Sequence, residues 1–369
     1  FPENFTPVAT TPPTTVFPGT AGDDNYCGVN GGDQAVGFVN DSMTGQAGND
    51  CFSPKGGVDT VFGGPGTDLL DYSAASVVFG APPAGAVINL ASGVSTDPWG
   101  NADFTLELEN AQGTEHGDWL VGTEADNNVL LGLGGADTVV GLGGADTIDL
   151  GAGNDLGYGY AGNDTILGSS GNDTAYGSEG IDLLYGGTDN DLLVGGADND
   201  AAFGEAGNDL LFGEGGHDQI DGGDGDDVAD GGDGNDAIDL GPGNNFGFAG
   251  AGIDTVTGGS GQDVLFGQGD NDSLAGGEAL DNLLGGAGND TLEGGGAGDN
   301  ILGEAGDDVL IGGLGNDVLD GGPGIDQLFG QAGNDTFVHR SGEGSSNSAT
   351  PDVIADFQGA GGGGCALFL

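Results

Sequence analysis

From Gly132 to Asp335 an acidic residue returns every nine positions, and the register does not slip. The series runs Asp137, Asp146, Asp155, Asp164, Asp173, Asp182, Asp191, Asp200, Asp209, Asp218, Asp227 and Asp236. After Asn245, its one exception, it continues through Asp254, Asp263, Asp272, Asp281, Asp290, Asp299, Asp308, Asp317, Asp326 and Asp335. Glycine usually stands two and five residues before the acid, as in Gly285-Gly286-Ala287-Gly288-Asn289-Asp290-Thr291-Leu292-Glu293. A small or apolar residue follows two positions after it, such as Val139, Ile148, Leu184, Leu265 or Phe337. A period that fixes a carboxylate and a core residue together describes a folded solenoid with a metal-binding edge.

The charge balance sharpens this reading. Sixty Asp and Glu face two Lys and Arg, a formal charge of -58, so a compact chain without counter-ions repels itself. A disordered acidic tail is the competing reading, but such tails have few hydrophobic residues and no period. Here 36% of residues are hydrophobic and the aliphatic ones recur in phase with the acids. Order is therefore expected with calcium, and disorder without a counter-ion. Lys55 and Arg340 are the two fixed cations, which excludes nucleic acid as a partner because nothing neutralises phosphates. No apolar stretch approaches the roughly 20 residues of a membrane-spanning helix. The start at Phe1, without Met or a signal-like segment, reads as a processed or trimmed product. Cys27, Cys51 and Cys365 are too few for a disulfide scaffold. A Cys27–Cys51 pair in an oxidising compartment and three unpaired thiols both remain open.

The pattern divides the chain. Residues 1–18 form a Pro- and Thr-rich arm, and Pro12-Pro13 excludes a central strand there. Residues 19–70 are a short irregular repeat block in which Asp24, Asp50, Asp59 and Asp68 are candidate ligands. Residues 71–112 lose the period; Ala86 to Leu90 and Phe104 to Leu108 have strand composition, and Asp97-Pro98-Trp99-Gly100 reads as a turn. The segment is expected to be a β insertion or cap. The long repeat block occupies 113–338, and 339–369 is a closing segment with a last short strand from Asp352 to Phe357.

In one unit, six residues dominated by Gly, Asn and Asp suit a tight turn, because Gly and Asn tolerate positive φ. The remaining three have room for a short strand whose middle residue points to one side. Turn plus strand reverses the chain, so two units complete a flat coil of eighteen residues, and coils stack as parallel strands at about 4.8 Å. The middle residues meet in a narrow core and the turns line both edges. Each turn offers one carboxylate and several uncovered carbonyls, which suits calcium with its six to eight oxygen ligands at about 2.3–2.6 Å. Neither thiolate nor imidazole recurs in phase, against zinc or copper. Magnesium keeps its waters and demands a stricter octahedron. Stacked turns of this kind supply about twenty sites in the long block. Their ions would cancel most of the negative charge and make the acidity a folding switch.

The nonapeptide Gly-Gly-x-Gly-x-Asp-x-apolar-x resembles the calcium-binding repeat of the RTX (repeats-in-toxin, hemolysin-type) family. The resemblance covers about two-thirds of the chain. It implies an all-β fold, a parallel β-roll with calcium in its turns. It also implies an extracellular or cell-surface protein exported unfolded by bacterial type I secretion and folding on millimolar calcium outside. Asp71-Tyr72-Ser73 and Glu109 to Thr114 are similar to the lead-in of such repeats. There are departures. Asn245 replaces one acid; Asp189, Asp198, Asp270, Ala279 and Ala297 replace a turn glycine; Gly157 and Gly247 leave core positions empty. Weak or absent binding is expected at those turns.

Many family members attach the roll to an enzyme or toxin. No His-Glu-x-x-His or Gly-x-Ser-x-Gly segment occurs, and His116, His217 and His339 are isolated, so no enzyme is expected. With eighteen-residue coils, alternate units share a face. One face displays Leu156 and Tyr158, Thr174 and Tyr176, Leu192 and Val194, Leu210 and Phe212, Val228 and Asp230, Phe246 and Phe248, and Val264 and Phe266. The other face is more polar in its middle, with Gln219, Asp221, Ala237 and Asp239. An aligned apolar stripe marks an interface, covered by another part of the chain or by a second copy. The expectation is a secreted structural protein that self-associates into a layer, matrix or filament. The alternatives are an adhesion or secretion module of a larger toxin or exoenzyme, or a plain calcium binder.

Overall fold

The computed structural model describes residues 15–18, 40–54, 57–73, 85–338, 352–355 and 366–368. Asp24, Cys27, Lys55, His339, Arg340 and Cys365 lie outside them. The chain divides into two compact units, Phe1–Leu156 and Gly157–Leu369. The described residues contain no α-helix, and each unit is a parallel β-solenoid.

The second unit shows the repeat at its most regular. Leu192–Ala197 pairs in parallel with Leu210–Gly215, with Leu192 opposite Leu210, so one coil takes eighteen residues. The intervening nonapeptides pair in the opposite sheet, Leu183–Thr188 with Ala201–Ala206. Alternation along each strand turns the residue two after the aspartate inward, and Ala175, Leu184, Leu193, Ala202, Leu211, Leu265, Leu283 and Leu292 are all buried. The three-residue strand expected from the sequence is too short. Strands such as Thr174–Glu179 run six residues, because the first half of each turn also joins the ladder, as in the Ser178–Gly196 and Glu179–Ala197 pairs. The turns stack with the strands: the Gly207 N–H donates to the Asp224 carbonyl at 2.9 Å.

The core position expected to be empty at Gly247 is filled. A Cβ on Gly247 would lie 3.0 Å from Leu240 Cδ1, 3.0 Å from Val256 Cγ1 and 3.1 Å from Leu265 Cδ2. Leu240, standing where most units carry a turn glycine, is fully buried and supplies the missing side chain. The closing strand is present as Val353–Ile354, in parallel with Gln327 and Leu328. Ala366–Phe368 adds a further strand beside Thr336–Val338 that the composition did not announce.

The first unit contains β1 (Thr15–Pro18), β2 (Asp41–Thr44), β3 (Cys51–Phe52), β4 (Thr60–Phe62), β5 (Leu69–Asp71), β6 (Val87–Asn89), β7 (Val94–Thr96), β8 (Ala102–Leu106), β9 (Asn110–Gln112), β10 (Trp119–Val121) and β11 (Val129–Leu131). One sheet runs β1, β2, β4, β8, β7, β6, β10. The facing sheet passes from β3 through β5 and β9 to β11. The non-periodic segment therefore places three strands between β4 and β10 where the opposite sheet needs only β9. Its β6–β7 and β7–β8 pairs are antiparallel. Two turns make the reversals possible. Gly93 (φ 67°) follows β6, and after β7 the Asp97 carboxylate accepts the Trp99 and Asn101 N–H groups, with Gly100 at φ 88°. Cys51 is disulfide-bonded, so the reading of three unpaired thiols does not hold.

Candidate metal centre

Each aspartate of the series sits at the junction of turn and strand, and its two carboxylate oxygens have different surroundings. Oδ1 accepts the backbone N–H of the aspartate one coil earlier: Asp164 donates to Asp182, Asp272 to Asp290 and Asp290 to Asp308, each at 2.8–2.9 Å. The same bond joins Asp50 to Asp68, Asp118 to Asp137 and Asp137 to Asp155 in the first unit. Oδ2 is buried and meets no hydrogen-bond donor among the described residues at Asp68, Asp137, Asp182, Asp191, Asp200, Asp209, Asp218, Asp227, Asp236, Asp254, Asp263, Asp272, Asp281, Asp290, Asp299, Asp308, Asp317 and Asp326. Asp50, Asp59, Asp146, Asp155, Asp164, Asp173 and Asp335 occupy equivalent buried positions. One orphaned buried oxygen costs on the order of 1–3 kcal/mol, more when charged, so an ionised ladder of them calls for a counter-charge, and without one a proton is favoured.

Glycine leaves room for that counter-charge. A Cβ on Gly285 would stand 2.5 Å from Asp290 Oδ2 and 2.7 Å from the Gly303 carbonyl oxygen, and one on Gly231 would stand 2.5 Å from both Asp236 Oδ2 and the Ala249 carbonyl oxygen. The carboxylate and a carbonyl of the next coil therefore converge on the space that the glycine leaves. Asp189, Asp198, Asp270, Ala279 and Ala297, which replace a turn glycine, hold φ between 71° and 93° and keep the corner left-handed. Burial is also the first cause of a raised carboxyl pKa. Asp137, Asp191, Asp200, Asp272, Asp281 and Asp308 are pushed up to about 7, and Asp182, Asp227, Asp236, Asp299 and Asp326 to about 6. The backbone N–H from the preceding coil opposes the rise. For most of them carboxylates on neighbouring coils add to it. Among the described residues no three His, Cys, Asp or Glu side chains cluster to hold a metal. The donor set is one carboxylate plus backbone oxygens, which suits a hard cation of high coordination number.

A second ladder runs outside the first. Where the residue before an aspartate is Asn, its side chain accepts the N–H of its counterpart one coil later: Asn172 from Asn190, Asn190 from Asn208, Asn208 from Asp226. His217 belongs to this ladder, its Nδ1 accepting the Asn235 N–H at 2.7 Å. The recurring Asn before Asp was the available signal.

The outward stripe is assembled as two rows on one sheet of the second unit. Leu192, Leu210, Val228, Phe246 and Val264 are successive partners in one row. Tyr176, Val194, Phe212, Asp230, Phe248 and Phe266 follow in the other. Tyr158 stacks on Tyr176 at 5.1 Å, and Phe248 on Phe266 at 4.9 Å. Leu210 and Phe246 are exposed and the other apolar members half-buried, each shielded by its neighbours along the row. Leu156 ends the first unit. The opposite face, polar in its middle, also carries a stacked Tyr185–Phe203 pair. The first unit has an apolar face that the repeat pattern did not reveal: Phe62, Val87, Val94, Phe104, Leu106 and Trp119 stand exposed on adjacent strands of one sheet. Its trace in the sequence was the alternation of Phe104-Thr105-Leu106.

No helix among the described residues is long and apolar enough to cross a membrane. A family model described as the RTX calcium-binding nonapeptide repeat matches residues 40–61 and, in overlapping copies, 112–344. No curated protein matches the chain.

Proposed function

The chain belongs to the RTX calcium-binding nonapeptide-repeat family, and from that premise we propose that it is a secreted structural protein that folds on calcium outside the cell and assembles through its apolar faces into a layer, matrix or filament. The calcium ligands are the Oδ2 atoms of the repeat aspartates and the carbonyls that meet them, at about twenty turns. Calcium supplies the charge that those buried oxygens lack. The protein contributes the stacked coils that hold carboxylate and carbonyl together, and the glycines that keep the space open. Because the sites exist only between adjacent coils, binding free energy is folding free energy. No catalytic role is assigned to any residue.

The observation that carries the assembly is the pair of in-register apolar rows, Leu192 to Val264 and Tyr176 to Phe266, on a solenoid whose edges are acidic. Calcium reduces the long-range repulsion between copies, and the rows then offer a face with a single carboxylate, Asp230, among them. Calcium titration followed by light scattering and negative-stain microscopy tests this. Ordered multimers in millimolar calcium and largely unfolded monomers in chelator are expected. Folded monomers alone across the calcium range would overturn assembly and leave a plain calcium-binding module.

A further inference from the structure

At several turns the second carboxyl or amide atom is satisfied by the chain itself, as at Asn128, where Nδ2 donates to the Glu109 carbonyl, and three others show how. Asn245 shows this most fully. Its Oδ1 accepts the Asp227 N–H at 2.8 Å, as a repeat aspartate would, and that bond fixes the orientation of the amide. Nδ2 then donates to the Gly241 carbonyl at 3.2 Å and the Gly258 carbonyl at 3.4 Å. Gly258 stands thirteen residues after Asn245, the same offset at which the Gly303 carbonyl shares the space beside Gly285 with Asp290 Oδ2. The amide nitrogen thus donates to carbonyls that the other turns leave for a cation. The unit departs from the repeat in two linked ways as well, with Leu240 in place of the cradle glycine and Gly247 at the core position that Leu240 fills.

Asp103 is the second case. It accepts the Asp59 N–H at 2.8 Å through Oδ1, and its β8 strand continues the ladder from β4, so it is the coil-mate of Asp59. Its Oδ2 accepts the hydroxyl of Tyr72, a fully buried side chain. The third is Asp118, whose Oδ2 accepts the Thr114 N–H at 2.6 Å and the Thr114 hydroxyl at 3.2 Å.

We propose that in these three turns a hydrogen-bond donor of the chain replaces the ion, so that Asn245, Asp103 and Asp118 take no calcium, and the two turns of the first unit stay closed when calcium is withdrawn. Tyr72, Thr114 and the Asn245 amide are the residues that decide this. Asp103 lies in the non-periodic segment of the first unit and Asp118 at the start of the repeat block that follows it, which gives this region closure independent of calcium. The third interrupts one ion ladder of the second unit between Asp227 and Asp263. A carboxylate at the Asn245 position would face two carbonyls with no donor, the arrangement that demands a cation.

The inference rests on the repeat aspartates being the calcium ligands, and native mass spectrometry of the full chain in calcium separates the two claims. Asp290→Asn should lose one ion; no loss there would sink the ligand assignment itself. Asn245→Asp should gain one ion over the unaltered chain. Should the Leu240 side chain block that gain, the variant Leu240→Gly/Asn245→Asp/Gly247→Leu, which restores the neighbouring pattern, should show it. An Asp290→Asn loss with no gain in either Asn245 variant overturns the inference. Tyr72→Phe, which frees Asp103 Oδ2, should raise hydrogen exchange around 86–106 in chelator; unchanged exchange there would remove Asp103 from the group.

Discussion

Leu240 and Gly247 offer a direct test of how the core is built. Truncating Leu240→Ala removes a fully buried side chain, at a cost of about 2–5 kcal/mol depending on how far the coil collapses. Gly247→Leu alone is also unfavourable. Its Cβ already falls 3.0–3.1 Å from Leu240, Val256 and Leu265, and the rest of the side chain has no free space, so overpacking of at least about 1–3 kcal/mol is expected. Combined, the two changes move one leucine from the turn position to the position that Leu265 and Leu283 hold in other coils. The double variant should lie within about 1.5 kcal/mol of the parent, the range of volume-conserving swaps. The single costs sum to at least about 3 kcal/mol, so a coupling of about 1.5–3 kcal/mol is expected. A long repeat array need not unfold as one unit. The assay is therefore hydrogen exchange of the amides from 246 to 266 in saturating calcium, with urea midpoints as a check. Single effects that add to within about 0.5 kcal/mol would show that Leu240 does not occupy the Gly247 space and would refute the reasoning.

Other outcomes follow from the same geometry. Burial raises the folded-state pKa of Asp137, Asp191, Asp272 and Asp308 from 3.8 to about 7, so protonation favours the metal-free fold; that stability is fully present below about pH 3.8 and lost as pH rises towards 7. Circular dichroism in chelator should accordingly show β structure growing as pH falls from 7 to 4, while calcium affinity falls over the same range; a metal-free chain equally unfolded at both ends contradicts this. Magnesium at the same concentration should fail to restore the fold that calcium gives, because the turn offers carbonyls in place of the waters magnesium retains; equal recovery by far-ultraviolet circular dichroism would count against the ligand set. Phe248→Ser with Phe266→Ser removes a 4.9 Å stack from the outward row and should abolish multimers in light scattering while leaving the calcium-induced spectrum unchanged; persisting multimers would exclude this row as the contact.

The fold and most of the candidate site were legible because one period served both. A carboxylate every nine residues and an apolar residue two later can be satisfied together only when coils of eighteen stack in register, as Leu192 opposite Leu210 does. The outward rows followed from the same count, since Tyr176, Phe212 and Phe248 lie whole numbers of coils apart. What stayed hidden lay where the period breaks. Between Asp71 and Asn110 composition marked strands but not their partners, and antiparallel pairing of β7 with β6 and β8 depends on turns at Gly93 and Gly100 and on a long-range contact with β4 and β10.

The sequence by itself determined the coil length, the inward residue of each unit and the two acidic edges, because each is a periodic property and repetition averages out local exceptions. The tertiary structure alone decided what the exceptions do. Leu240 reaches the space of Gly247, the Asn245 amide reaches the carbonyls of Gly241 and Gly258, and the Tyr72 hydroxyl reaches Asp103. These are contacts made by side chains that depart from the repeat, set by which of them has the length and the donor to fill a gap that stacking leaves. A one-dimensional pattern records that a unit departs from its neighbours; only the packed coil shows what takes the missing group's place.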